Sequence, residues 1–222
     1  MEQFKDRREA GILLADQLKD YTNNPNVIVL ALPRGGVPVA YEIAKALTVP
    51  LDVFIVRKLG VPMHEELAMG AMASGGTVIF NEEIIRDLHI SKAAIDSVIQ
   101  SEKEELKRRE LLYRVRRPFP VLQGKIIILV DDGIATGATT RAAIAGLNKH
   151  KTSKIVIAVP VAALSTYEEI VGLVDTIICP LKPVNFYAVG LWYTDFSQTT
   201  DAEVSALLRK ANEYYLNSTT TS

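Results

Sequence analysis

The richest chemistry in this 222-residue chain lies in Ile126-Ile127-Ile128-Leu129-Val130-Asp131-Asp132-Gly133-Ile134-Ala135-Thr136-Gly137-Ala138-Thr139-Thr140. Five apolar residues predict a buried strand that ends on two adjacent carboxylates, and the carboxyl ends of strands are where open α/β sheets bind ligands. A loop of small residues with hydroxyls on Thr136, Thr139 and Thr140 follows, and then a helix begins. Free N–H groups at a helix start, with the helix dipole behind them, form an anion site suited to phosphate. Adjacent carboxylates are costly unless they are solvated or share hydroxyl donors or a cation. A phosphorylated, polyhydroxylated sugar answers both features, its diol on Asp131 and Asp132 and its phosphate on the loop.

Two further segments repeat the strand-to-loop pattern. In Leu30-Ala31-Leu32-Pro33-Arg34-Gly35-Gly36-Val37-Pro38, glycines permit close backbone approach and Arg34 offers a fork of donors matched to phosphate oxygens. In Val53-Phe54-Ile55-Val56-Arg57-Lys58-Leu59-Gly60, two cations end the next apolar run and should lie beside the same mouth. Residues 60–66 then read as a loop able to close over it. Near the C-terminal end, residues 182–196 hold five of the chain's 15 aromatics, among them Phe186, Tyr187, Trp192 and Tyr193.

The elements that must position these groups follow from hydropathy. Apolar runs at 27–32, 51–56, 126–130, 155–159 and 174–178 lack the alternation of half-exposed strands, the pattern of a parallel sheet buried on both faces. Segments with helical spacing separate them, such as Val39, Ile43 and Leu47 after Pro38. Ser165-Thr166-Tyr167-Glu168 and Thr200-Asp201-Ala202-Glu203 have capping-box form. An α/β domain with a mainly parallel sheet flanked by helices is expected. One stretch breaks the rhythm: residues 81–120 read as a charged helical insertion with Ser91 as an N-cap, stopped by Pro118 and Pro120. Residues 217–222 read as a short, disordered polar tail.

Composition bounds the function. Lys and Arg number 25 against 26 Asp and Glu, so no global basic field favours nucleic acid. One cysteine, Cys179, suits a reducing compartment, and no apolar run approaches the ~20 residues of a membrane span. A cytoplasmic location without membrane association is expected. No P-loop signature and no strand followed by Gly-x-Gly-x-x-Gly occurs. A receiver domain is excluded because Lys182-Pro183 follows Asp131 by only 51 residues.

The run from Leu129 to Thr139, with Ile127 and Ile128 ahead of it, resembles the phosphoribosyl diphosphate (PRPP) signature of type I phosphoribosyltransferases: four apolar residues, two acids, two variable residues and a small-Thr-Gly-x-Thr loop, all in register. The resemblance implies that fold, with Asp131 and Asp132 on the ribose hydroxyls. It implies that Ala135, Thr136, Gly137, Ala138, Thr139 and Thr140 cradle the 5′-phosphate. The loop of Arg34, Gly35 and Gly36, which in the family often contains a strained non-proline peptide, would bind pyrophosphate together with Arg57 and Lys58. Asp131, Asp132, Arg34 and Lys58 would be the catalytic set. Mg²⁺ would arrive through PRPP, with Asp131 and Asp132 as possible contacts. A hood made by residues 1–21 and 180–216 would complete one domain over 1–222, and Phe186, Tyr187, Trp192 and Tyr193 are its candidates for stacking on a nitrogenous base. A homo-oligomer, a dimer by resemblance, is implied.

The signature departs from 6-oxopurine enzymes in carrying Ala135 where they place an Asp, and 159–163 hold no match for their lysine. These departures weigh against a hypoxanthine or guanine acceptor. The insertion and the aromatic stretch resemble a group of predicted phosphoribosyltransferases whose acceptor the fold does not imply. A PRPP- or nucleotide-sensing regulator of the same fold is the alternative, and a hydrolase or lyase acting on a phosphoribosyl compound is a third reading.

Overall fold

The computed structural model describes residues 3–114 and 117–220, with side chains described to residue 218. The ends of the expected 1–222 domain and residues 115–116 of the insertion lie outside the described residues. The chain runs α1 (Arg7–Gln17), β1 (Val27–Ala31), α2 (Gly36–Leu47), β2 (Leu51–Val53), β3 (Val56–Val61), β4 (His64–Ala73) and β5 (Thr77–Phe80). It continues through α3 (Glu82–Asp87), α4 (Lys92–Arg114), β6 (Ile126–Val130), α5 (Ala138–Lys149), β7 (Lys154–Ala158), α6 (Leu164–Ile170), β8 (Thr176–Ile178) and α7 (Asp201–Thr220).

All five apolar runs become strands of one parallel sheet in the order β2-β1-β6-β7-β8. Their continuous hydrophobicity is explained by two covered faces. Val27, Val29, Ala31, Ile128 and Val130 pack with α1, α2, α4 and α7, whereas Ile28, Leu30, Ile127 and Leu129 pack with Ala143 and Leu147 of α5. The mainly parallel α/β architecture is as expected.

A second sheet was not anticipated: β3, β4 and β5 form an antiparallel meander. The expected closing loop at 60–66 is a hairpin, with Pro62 and Met63 at its turn and Met63 at φ +66°. The expected strand at 51–56 stops at Val53, and Arg57 and Lys58 belong to the second sheet. No single period describes β4, because His64 to Leu67 are exposed while Met69 and residues 71–73 are buried.

The insertion at 81–120 contains two helices. Asn81 Oδ1 accepts from Ile84 N at 3.2 Å to cap α3, and Ser91 Oγ accepts from Ala94 N at 3.2 Å just ahead of α4. Arg114 pins the far end of α4 inside the fold, donating from Nε to Asp52 at 2.9 Å and from Nη2 to the Val53 carbonyl at 2.7 Å. Thr200 Oγ1 accepts from Glu203 N, whereas α6 begins at Leu164 and Thr166 is drawn away to the Ala135 carbonyl. The tail is no tail as far as Thr220, because α7 runs to that residue. Within the two segments expected to form the hood, Leu14 of α1, Leu18 just after it, and Val204 and Leu208 of α7 pack into the main core.

Candidate active site

β1 and β6 are neighbours, in register from Val27↔Ile126 to Ala31↔Val130. From β1 the chain crosses to β2 on one side, and from β6 to β7 on the other. The crevice between their carboxyl ends is therefore the topological switch point, where α/β sheets form ligand sites. Asp131 and Asp132 leave β6 there, and residues 33–36 leave β1 beside them. The Pro33–Arg34 peptide is cis.

Glycine is required in that loop. A Cβ on Gly35 would lie 2.0 Å from Asp132 Oδ2, and one on Gly36 would lie 2.6 Å from the Val130 carbonyl oxygen. On the other flank, Gly137 takes φ +71° and precedes α5, leaving Thr136, Ala138 and Thr139 exposed beside Ala135. Thr140 is the exception, only 3% exposed. Arg141 braces the loop, donating to the Thr136 carbonyl at 2.6 Å and to Glu169 at 3.0 Å.

The acid pair is shielded. Asp132 N–H donates to Asp131 Oδ1 at 2.9 Å. Burial, and then the charge of Asp132, push the Asp131 carboxyl well above its usual range. Burial raises Asp132 as well, against the opposing pull of Arg7. Arg7 Nε lies 2.9 Å from Asp132 Oδ2, its Nη1 donates to the Ser197 carbonyl at 2.7 Å, and its guanidinium carbon sits 3.9 Å from the centroid of the Phe196 ring. Tyr193 Oη donates to the Asp132 carbonyl at 2.6 Å. The segments around Arg7 and Tyr193 thus converge on one residue, Asp132, the first at its carboxylate and the second at its main-chain carbonyl, knit by Phe4 N to Trp192 O at 2.9 Å and Thr194 N to Phe4 O at 2.8 Å.

The remaining expected residues divide. Arg34 Nη1 stands 3.9 Å from Asp201 Oδ1 and is partly exposed. Lys58 shares a cavity of about 430 Å³ with Ala138, Thr139 and Arg141, which puts it beside the loop after β6. Arg57 is turned elsewhere, its Nε 2.7 Å from Glu102 of α4. Tyr193 is corrected as a stacking platform: its ring is 4% exposed and packed against Phe4 and Phe196. Phe186 stacks on Trp192 with centroids 6.4 Å apart, and Tyr187 stands 86% exposed. Sequence reasoning missed Arg7, Arg141 and Asp201 as members of this region. Only Asp201 carried a signal, as part of a capping box.

A family model described as the phosphoribosyl transferase domain matches residues 2–191. The chain belongs to this family. The chain is 44% identical over 212 residues to a Mycobacterium tuberculosis (strain H37Rv) protein named "Putative phosphoribosyl transferase Rv0571c", and equally so to its counterpart in strain CDC 1551 / Oshkosh. The match covers 96% of this chain and 48% of either relative, so the chain spans about half their length. Among solved structures, TT1426 from Thermus thermophilus is 36% identical, with a TM-score of 0.82 over 94% of this chain and 98% of that one. Among the described residues, no helix is long and apolar enough to cross a membrane.

Proposed function

We propose that this domain transfers the 5-phosphoribosyl group of PRPP to a nitrogen of a base and releases pyrophosphate. The observation that carries the reading is the meeting of three features at one crevice. The acid pair ends β6, the loop from Ala135 to Thr139 opens α5, and the Arg34-Gly35-Gly36 loop lies against Asp132. A ligand with hydroxyls and two separate phosphate groups uses all three.

In this reading the first-turn amides of α5 and the hydroxyls of Thr136 and Thr139 hold the 5′-phosphate. Asp131 and Asp132 accept from the ribose hydroxyls, and their negative charge stabilises the positive charge that grows at C1 as the bond to diphosphate lengthens. Arg34, the loop amides and Lys58 take up the charge on the leaving diphosphate. Thr140, being buried, acts from within the turn rather than as a direct ligand. Among the described residues no three His, Cys, Asp or Glu side chains gather into a metal cage, and Arg7 already engages Asp132 Oδ2. These residues fit Mg²⁺ as an ion carried on the diphosphate, where it would offset charge on the leaving group. Most of the rate gain would come from positioning and electrostatics.

Pyrophosphate release from PRPP with Mg²⁺, one candidate base per well, tests the reading. Adenine, hypoxanthine, guanine, xanthine, uracil, orotate and simple amines make up the panel. Release that depends on one base supports transfer and identifies the acceptor. Release without any base replaces transfer by hydrolysis, and PRPP binding with no release against the whole panel favours a sensor.

A further inference from the structure

Arg34 lies on the loop that follows β1, and its side chain is 39% exposed. A long, half-exposed arginine on a loop has many rotamers, and ordering it on each binding event weakens affinity. Two residues from distant parts of the chain restrict it. Asp201, the first residue of α7, sits 3.9 Å from Arg34 Nη1 through Oδ1. The same Oδ1 accepts a 2.6 Å hydrogen bond from Tyr113 Oη, near the end of α4. Tyr113 is 2% exposed and belongs to the main core.

The distances give each partner a distinct role. At 3.9 Å the Asp201–Arg34 contact is longer than the roughly 2.7–2.9 Å of a tight charge-assisted bond. The acid therefore steers the guanidinium without saturating it, and donors stay open for an anion. What keeps the acid at that distance is the phenol, since a carboxylate oxygen engaged by a buried, immobile donor cannot swing to close the gap. Burial and the neighbouring Asp201 push the Tyr113 phenol up to about 12, so it remains a donor at neutral pH.

We propose that Tyr113 and Asp201 are positioning residues for Arg34, with the buried phenol restraining the carboxylate so that it orients the guanidinium yet leaves it free for diphosphate. The inference rests on the functional reading above, in which Arg34 meets the diphosphate of PRPP. It also assigns a purpose to the helical insertion. α4 carries Tyr113 to the mouth of the site, and the Arg114–Asp52 pair locks that end of the helix in place.

Calorimetric titration of the full chain with PRPP in Mg²⁺ buffer tests it. The proteins needed are wild type, Tyr113→Phe, Arg34→Ala, Asp201→Ala and the two double variants that contain Tyr113→Phe. Tyr113→Phe keeps the buried ring and frees the acid to close on Arg34 and compete with the ligand. Its Kd should rise about two- to fivefold, the range set by a partly exposed ion pair. In the Arg34→Ala and Asp201→Ala backgrounds the same substitution should have almost no effect, because the route through those side chains is gone. An equal effect in all three backgrounds would reduce Tyr113 to a packing residue and overturn the proposal, as would an unchanged Kd for Tyr113→Phe alone. A wild-type chain that binds no PRPP would overturn the functional reading and this inference with it.

Discussion

Replacing Arg7 by Met removes the cation beside Asp132 while keeping much of the apolar stem. The two side chains are 12% and 14% exposed, so water replaces little of what is lost. Two unit charges ~4 Å apart attract by about 4 kcal/mol at an effective dielectric constant of ~20. Removing one partner of a buried pair typically costs about 3–5 kcal/mol. The residual exposure of the two side chains lowers the expected loss to about 2–3 kcal/mol at pH 8. The loss must depend on pH. Burial raises the Asp132 carboxyl and Arg7 opposes that rise, so the variant's carboxyl titrates higher still. A carboxyl whose folded value is raised loses stability as pH climbs through that value. The variant's deficit should therefore be small in acid, where Asp132 is protonated, and grow to its full size by pH 8. Urea denaturation of both proteins at matched pH values between 4 and 8 measures it. A deficit that is the same at every pH, or one below about 0.5 kcal/mol at pH 8, would refute the view that Arg7 compensates a buried charge.

Other expectations are more local. Gly35→Ala should push the Asp132 carboxylate off Arg7, since the new Cβ would lie 2.0 Å from Oδ2. Denaturation should show a loss of about 1–3 kcal/mol, and PRPP titration a weaker complex. Arg114→Met should be costlier, about 3–5 kcal/mol, because it leaves Asp52 buried without its cation; a melting point within a few degrees of wild type would contradict this. Burial pushes the Cys179 thiol up to about 11, so it should resist alkylation at pH 8 in the native chain and react freely in denaturant.

The sheet was legible because its strands are buried on both faces, and an uninterrupted apolar run such as Ile126 to Val130, too short for a helix, fits little else in a fold of this size. The loop between Asp132 and Thr140 was legible for a local reason as well: acids, glycines and threonines at fixed spacing all serve one turn. The second sheet was hidden because β4 is solvent-exposed in its first half and core-packed in its second, so no single period describes it. Arg57 and Lys58 look equivalent as neighbours in sequence. In the fold, Glu102 of α4 claims the first, while the second lies by the loop before α5. Arg7 and Arg8 pose the same problem. Only the former meets an acid 125 positions away, and the latter pairs with Glu42 at the surface. Contacts of that kind arise from where α1 docks on the domain, which residue spacing does not encode.

The most direct test of the functional reading is PRPP affinity measured by calorimetry for wild type and for the Asp131→Asn, Asp132→Asn double variant, with melting curves to confirm that both are folded. Hydrogen bonds to a charged acceptor contribute about 1.5–3 kcal/mol each, so losing both carboxylate charges should weaken binding by at least about 100-fold. Equal affinity in the two folded proteins would contradict the assignment of the acid pair to the ribose, and no binding by wild type would contradict the use of PRPP altogether.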